Sequence, residues 1–119
     1  MGKLSTHVLD TAAGKPAAGV VIELWALPGA GETEEQLLVT AETNEDGRTD
    51  APLLTGGGMR RGRFRLVFAV GDYFRARGNG DAGAFLDRVP VEFRIDDPEA
   101  GYHVPLLMTP WSYTTYRGS

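Results

Sequence analysis

The sequence predicts an all-β sandwich, and three observations carry the prediction. Apolar and polar residues alternate in short runs along most of the chain, turn-forming residues interrupt those runs at close intervals, and a single segment has helical character. A strand with one apolar face must bury it against another layer, and short strands with frequent turns are the pattern of two packed sheets. The count is seven or eight strands and one short helix. At 119 residues the chain is one domain, 1–119, long enough to bury a core but not to split.

Each element has its own warrant. Over residues 3–10, Leu4, Thr6 and Val8 share one face and Ser5, His7 and Leu9 the other. If the first set packs inward, His7 points away from the core. Asp10-Thr11, Gly14 and Pro16 mark a loop. Over 19–27, Val20, Ile22, Leu24 and Ala26 face in, while Glu23 and Trp25 face out. After a turn at 28–32, a strand from Gln36 to Glu42 carries Leu37, Val39 and Ala41 on one side. Thr43–Arg48 is a tight polar turn around Asp46-Gly47, so Arg48 leaves from a fixed point. Its ordinary alternative is a solvated loop arginine.

A short strand near Pro52–Leu54 precedes Gly56-Gly57-Gly58, a loop without the helix and lysine of a phosphate cradle. Arg60, Arg61, Arg63 and Arg65 form the one basic cluster. Phe64, Leu66 and Phe68 alternate with the last two, so these arginines read as the solvent face of a strand. Asp72 is placed to cap a short helix to about Arg77. Residues 78–88 are loop, and Val91, Phe93 and Ile95 define a further strand that Asp96-Asp97-Pro98 ends.

Composition narrows the function. Hydrophobic residues make up 42% and charged ones 24%, as in ordinary globular proteins, and the net charge of −4 argues against nucleic acid or an anionic membrane as partner. The absence of cysteine excludes disulfides and thiolate chemistry, and two histidines are too few for a convincing zinc site. Neither a metal nor a cofactor is expected. No run reaches the length of a membrane-spanning helix, and the first ten residues lack the apolar core of a secretory signal, so a cytoplasmic protein is expected.

The last eighteen residues, YHVPLLMTPWSYTTYRGS, depart from a terminus that can fray. Aromatic and apolar side chains this dense are expected to be buried. His103, Pro105 and Leu107 point one way, and Val104, Leu106 and Met108 the other. Pro105 cannot donate a ladder hydrogen bond, which points to an edge strand or a bulge. Thr109-Pro110 marks a turn before a second strand from Trp111 to Arg117. The segment is either a subunit interface with a site built into it or a hairpin completing a monomeric sandwich. Histidine can take and return a proton near neutral pH, and arginine can hold a developing oxyanion. His7, Arg48, His103 and a terminal Ser119 carboxylate therefore suit metal-free opening of a cyclic amide by water, provided the fold brings them together.

Four segments closely resemble the signatures of the 5-hydroxyisourate hydrolases, transthyretin-like enzymes of purine catabolism. They are LSTHVLD (Leu4–Asp10), TNEDGR (Thr43–Arg48), YHVPLL (Tyr102–Leu107) and the terminal YRGS, in the same order and with a similar loop and helix at GDYFRARG. The resemblance implies a transthyretin-like (prealbumin-like) sandwich of two four-stranded sheets with one short helix. It implies a homotetramer, a dimer of dimers, with active sites in the central channel, and hydrolysis of the lactam of 5-hydroxyisourate to 2-oxo-4-hydroxy-4-carboxy-5-ureidoimidazoline. Carried onto this chain, the catalytic residues are His7, Arg48 and His103, with Ser119 at the terminus. Substrate contacts would come from His7, Arg48, Tyr116, Arg117, Gly118 and Ser119, with Tyr116 and Ser119 nearest. Which histidine is the base stays open. Gly101 replaces a histidine common in the family and reads as part of the preceding turn, and Trp111 replaces a smaller aromatic. The alternative is a non-enzymatic carrier of thyroid-hormone-like molecules, as transthyretin itself is.

Overall fold

The alternation in the sequence reappears as burial in the computed structural model, which describes residues 1–78 and 80–118. Among these residues the chain runs through strands β1 (Lys3–Asp10), β2 (Lys15–Pro16), β3 (Val21–Ala26), β4 (Gln36–Glu42), β5 (Leu54–Thr55) and β6 (Gly62–Phe68). Helix α1 (Val70–Arg77) follows, then β7 (Val89–Ile95), β8 (Gly101–Met108) and β9 (Tyr113–Thr115). One sheet has the order β4-β3-β6-β7. The other has the order β2-β1-β8-β9, with β5 also paired to β1. The sandwich is thus the expected one, and the two-residue β5 brings the second sheet to five strands. No described helix is long and apolar enough to cross a membrane.

Facing side chains of both sheets make the core: Leu4 and Val8 of β1, Ile22 and Leu24 of β3, Phe64, Leu66 and Phe68 of β6, and Val104, Leu106 and Met108 of β8. At about 25 cal/mol per Å² of apolar surface, this burial is the main favourable contribution to folding. Thr6, polar on the inner face of β1, is buried because its hydroxyl donates to the Val104 carbonyl at 2.7 Å. Tyr102 is held by its own oxygen, which accepts the Asp96 and Asp97 amides at 3.1 Å each and so pins the turn that delivers β8.

β1 and β8 pair in parallel over their full length, from Lys3 opposite Gly101 to Asp10 opposite Met108. This corrects the reading of Pro105 as an edge residue, because β8 lies between β1 and β9. Proline is tolerated because its missing donor faces the tail where the ladder is broken. β9 pairing stops at Leu106 opposite Thr115 and resumes only as a bridge from His103 to Gly118. The Pro105 carbonyl on that side accepts the Thr115 hydroxyl at 2.8 Å.

Other expectations also shift. A register change between Leu24 and Trp25 skips Leu38 in the β3–β4 ladder, turning Leu38 toward the core and leaving Leu37 44% exposed. The helix begins two residues before Asp72, after Ala69; Asp72 sits in its first turn, where a carboxylate complements the dipole. Gly56–Gly58 form a 3-10 turn. Gly101 is the first residue of β8 rather than part of the turn. The final strand is short, Tyr113–Thr115, and the tail is not buried: Trp111, Tyr113 and Tyr116 are 57%, 42% and 56% exposed.

Candidate functional site

The parallel β1–β8 ladder sets the site. Ser5 lies opposite His103, and His7 opposite Pro105, so the two histidines stand on the same outer face, one on each neighbouring strand and two residues out of register. The Ser5 hydroxyl is 2.9 Å from His103 Nδ1. Half-burial lowers the His103 pKa below the usual histidine range, and the nearby positive charges of Arg48, His7 and Lys3 lower it further. His103 is therefore a neutral imidazole at neutral pH.

The turn at 44–48 is built to hold its position. The Asn44 side-chain oxygen accepts the Asp46 amide at 2.9 Å and the Arg48 amide at 3.2 Å, while the Asn44 amide donates to the Arg48 carbonyl at 2.7 Å. Gly47 has φ +76° and lies so close to β1 that a Cβ would collide with the Val8 carbonyl. The Val8 amide in turn donates to the Gly47 carbonyl at 2.7 Å. Thr43, buried at the base, accepts the Val20 amide at 2.9 Å and donates to Ala17 at 2.7 Å. The clamp brings the Asp46 carbonyl to His7, whose Nε2–H donates to it at 2.8 Å. In the neutral imidazole that bond puts the proton on Nε2 and the lone pair on Nδ1.

Arg48 leaves this fixed turn over the same face. With Lys3, Ser5, Gly101, Tyr102 and His103 it lines an open cleft of about 410 Å³. Lys3 and Ser5 line this cleft and are not among the residues that the sequence singles out. Ser5 shares the His7 face by alternation, but only the pairing of first and penultimate long strands shows that it meets His103.

The tail reaches the site at one described point. The Gly118 amide donates to the His103 carbonyl at 2.7 Å, and the Gly118 backbone lies against the imidazole edge. Arg117 turns the other way: its guanidinium stacks 4.2 Å from the centre of the Tyr102 ring and donates to the Gly101 carbonyl at 3.0 Å. Arg117 and Tyr116 line a separate cavity of about 270 Å³ between the β7 and β9 edges. Of the expected residues, then, His7, Arg48, His103 and Gly118 meet on one face within a single chain. Tyr116 and Arg117 do not join them, and Ser119 lies outside the described residues.

The family model of the HIUase/Transthyretin family matches residues 4–118. The chain belongs to this family. A 5-hydroxyisourate hydrolase of Halalkalibacterium halodurans is 56% identical over 119 residues, 99% of this chain and 98% of its own. Among solved structures, that of a (S)-allantoin synthase has a TM-score of 0.89 at 42% identity. The match covers 99% of this chain but 44% of that one, so the chain spans less than half of that protein. The Klebsiella pneumoniae 5-hydroxyisourate hydrolase has a TM-score of 0.80 at 32% identity, with 100% of each chain covered. The HIUase/Transthyretin match contains His7, Arg48, His103 and Gly118, and it stops one residue short of Ser119.

Proposed function

We propose that this chain hydrolyses 5-hydroxyisourate to 2-oxo-4-hydroxy-4-carboxy-5-ureidoimidazoline, opening the lactam by direct attack of water. The observation that carries the reading is that a neutral His103 and Arg48 line one cleft, with His7 on the same sheet face beside it. It occurs in a chain 56% identical to a protein of that name.

In this mechanism His103 takes a proton from water as the water oxygen bonds to the lactam carbonyl carbon. Arg48 donates to the oxygen that gains charge, and Lys3 adds a second positive charge at the cleft wall. The carbon–nitrogen bond then breaks, and the proton held by His103 passes to the departing nitrogen. His7, tied through Nε2–H to Asp46, presents Nδ1 as an acceptor that orients the water. Gly118 holds the tail against His103, and Tyr116, Arg117 and Ser119 complete the pocket once the subunits assemble. The assembly proposed is a homotetramer. It is supported by the three exposed tail aromatics, whose apolar surface another subunit would remove from water. A cytoplasmic location belongs to the same proposal and is tested by cell fractionation. The carrier alternative suits this cleft poorly, since Lys3, Arg48 and His103 line it.

The test is to generate 5-hydroxyisourate in place from urate with urate oxidase and to follow its ultraviolet decay. Acceleration over the spontaneous rate is expected. His7→Asn and Arg48→Glu should each remove most of it while the oligomer stays intact by light scattering. No acceleration by the intact protein sinks the assignment, and near wild-type rates in either variant remove that residue from the chemistry.

A further inference from the structure

A second cleft, of about 640 Å³, lies at the end of the β4-β3-β6-β7 sheet and shares no residue with the hydrolytic one. The loop after β3 forms one wall, and Arg60, Arg61, Arg63 and Arg94 form the other. These are four of the 12 lysine and arginine side chains of a chain whose net charge is −4. Arg63 and Arg94 are direct cross-strand partners on β6 and β7. Like charges placed opposite each other weaken a ladder, so this pair carries a cost that a neutral residue at either position would avoid.

No ion pair among the described residues offsets that charge, although Glu92 lies near Arg63 and Arg94 on the neighbouring surface. Among the described residues the ion pairs are Arg65 with Glu35, and Arg75 with Asp72 and Asp87; none involves the four arginines of the cleft. The contrast with Arg65 is direct, since it stands two residues along the same strand and is held by both Glu35 oxygens. The single carboxylate in the lining, Glu32, is engaged by the Gly29 amide at 2.8 Å. Four guanidiniums against one carboxylate leave a formal excess of three positive charges, 4 − 1. Arg63 also donates to the Pro28 carbonyl at 3.1 Å, which draws its planar fork toward the loop wall.

We propose that this cleft is a binding site for a compact polyanion carrying linked phosphates. The guanidinium fork matches phosphate oxygens two at a time, and several such forks around one concavity match an oligophosphate better than a single carboxylate. The volume is that of a small-molecule site rather than of a surface that docks a protein. An extended nucleic acid does not fit the charge distribution, because the surrounding chain is acidic and the cluster's field is screened within about 8 Å at physiological salt. The proposal is independent of the hydrolytic reading.

Titration calorimetry of the whole protein at fixed ionic strength tests it, with inorganic tripolyphosphate and a nucleoside triphosphate as separate arms. One saturable site per chain is expected in at least one arm. Equal affinity in both arms supports recognition of the phosphates alone, and tighter nucleotide binding supports recognition of the phosphates with an adjoining group. The double variant Arg61→Ala, Arg63→Ala should bind at least tenfold more weakly. Arg88→Ala, an exposed arginine outside the cleft, should bind as wild type does. Circular dichroism and an unchanged urea midpoint check that the double variant is folded; if it is not, Arg94→Gln carries the same comparison. The proposal is overturned if neither arm shows saturable binding, if the folded cleft variant binds like wild type, or if a glutamate peptide of equal charge binds more tightly than tripolyphosphate.

Discussion

Replacing Gly118 by alanine asks whether the chain terminus positions the His103 imidazole. Gly118 does not have positive φ, so alanine can take its backbone conformation and the effect is steric. A Cβ there would stand 2.6 Å from His103 Cδ2, 3.3 Å from Cγ and 3.4 Å from Cβ. Ordinary contact begins near 3.4 Å, so the ring edge and the tail must part by about 0.8 Å (3.4 − 2.6). Two responses compete. If the tail stays, the overlap costs about 1–3 kcal/mol. If it lifts, the chain loses the net worth of the Gly118–His103 hydrogen bond, about 1 kcal/mol. The tail is largely exposed, so lifting is the cheaper response. The expected loss of stability is thus only about 1 kcal/mol, read as a shift of the urea midpoint at constant slope. Turnover should fall further than that modest loss suggests, by about tenfold or more, because the imidazole loses the backbone packed against it. The Gly118 amide should also lose protection from hydrogen exchange. Gly101→Ala is the stability control, since a Cβ there meets nothing within 4 Å. Wild-type turnover together with a protected amide in Gly118→Ala would refute the positioning role.

The state of His103 predicts a pH dependence. Its folded pKa lies below the unfolded value, so the unfolded chain binds the extra proton first as pH falls. The His103 contribution to stability is therefore complete above about pH 6.5 and is lost as pH falls from there through the lower folded pKa. The acid limb of turnover should likewise lie below the ordinary histidine range. Lys3→Glu, which reverses a charge facing the ring, should move the limb and the His103 ring resonance titration upward; an unmoved titration refutes the electrostatic account. Thr43→Val strands the Val20 amide and the Ala17 carbonyl at the base of the 44–48 turn and should cost about 1–3 kcal/mol in chemical denaturation. If the exposed tail aromatics are interface residues, Trp111→Glu should lower the mass seen by light scattering, and an unchanged mass removes Trp111 from the interface.

Most of the sandwich was legible in the sequence because inward-facing positions follow a two-residue period. Leu4, Val8, Ile22, Leu24, Phe64, Leu66 and Phe68 all fall where alternation puts them. Leu37 did not, because its exposure depends on a one-residue slip in the ladder to β3, and a slip leaves no mark in the composition of either strand. Pro105 misled for a related reason. Proline excludes a donor on one side only, and that side faces a gap that exists because the tail leaves and rejoins β8. The site was legible as residue types and as segments, since the Asp46-Gly47 turn and the outward face of His7 follow from local chemistry. What local chemistry does not contain is the parallel pairing of β1 with β8, across some ninety-eight positions of chain. That pairing makes Ser5 the neighbour of His103 and brings the Arg48 and His7 charges to bear on its pKa. The setting of His103 therefore rests on a long-range contact that nothing in its own strand announces.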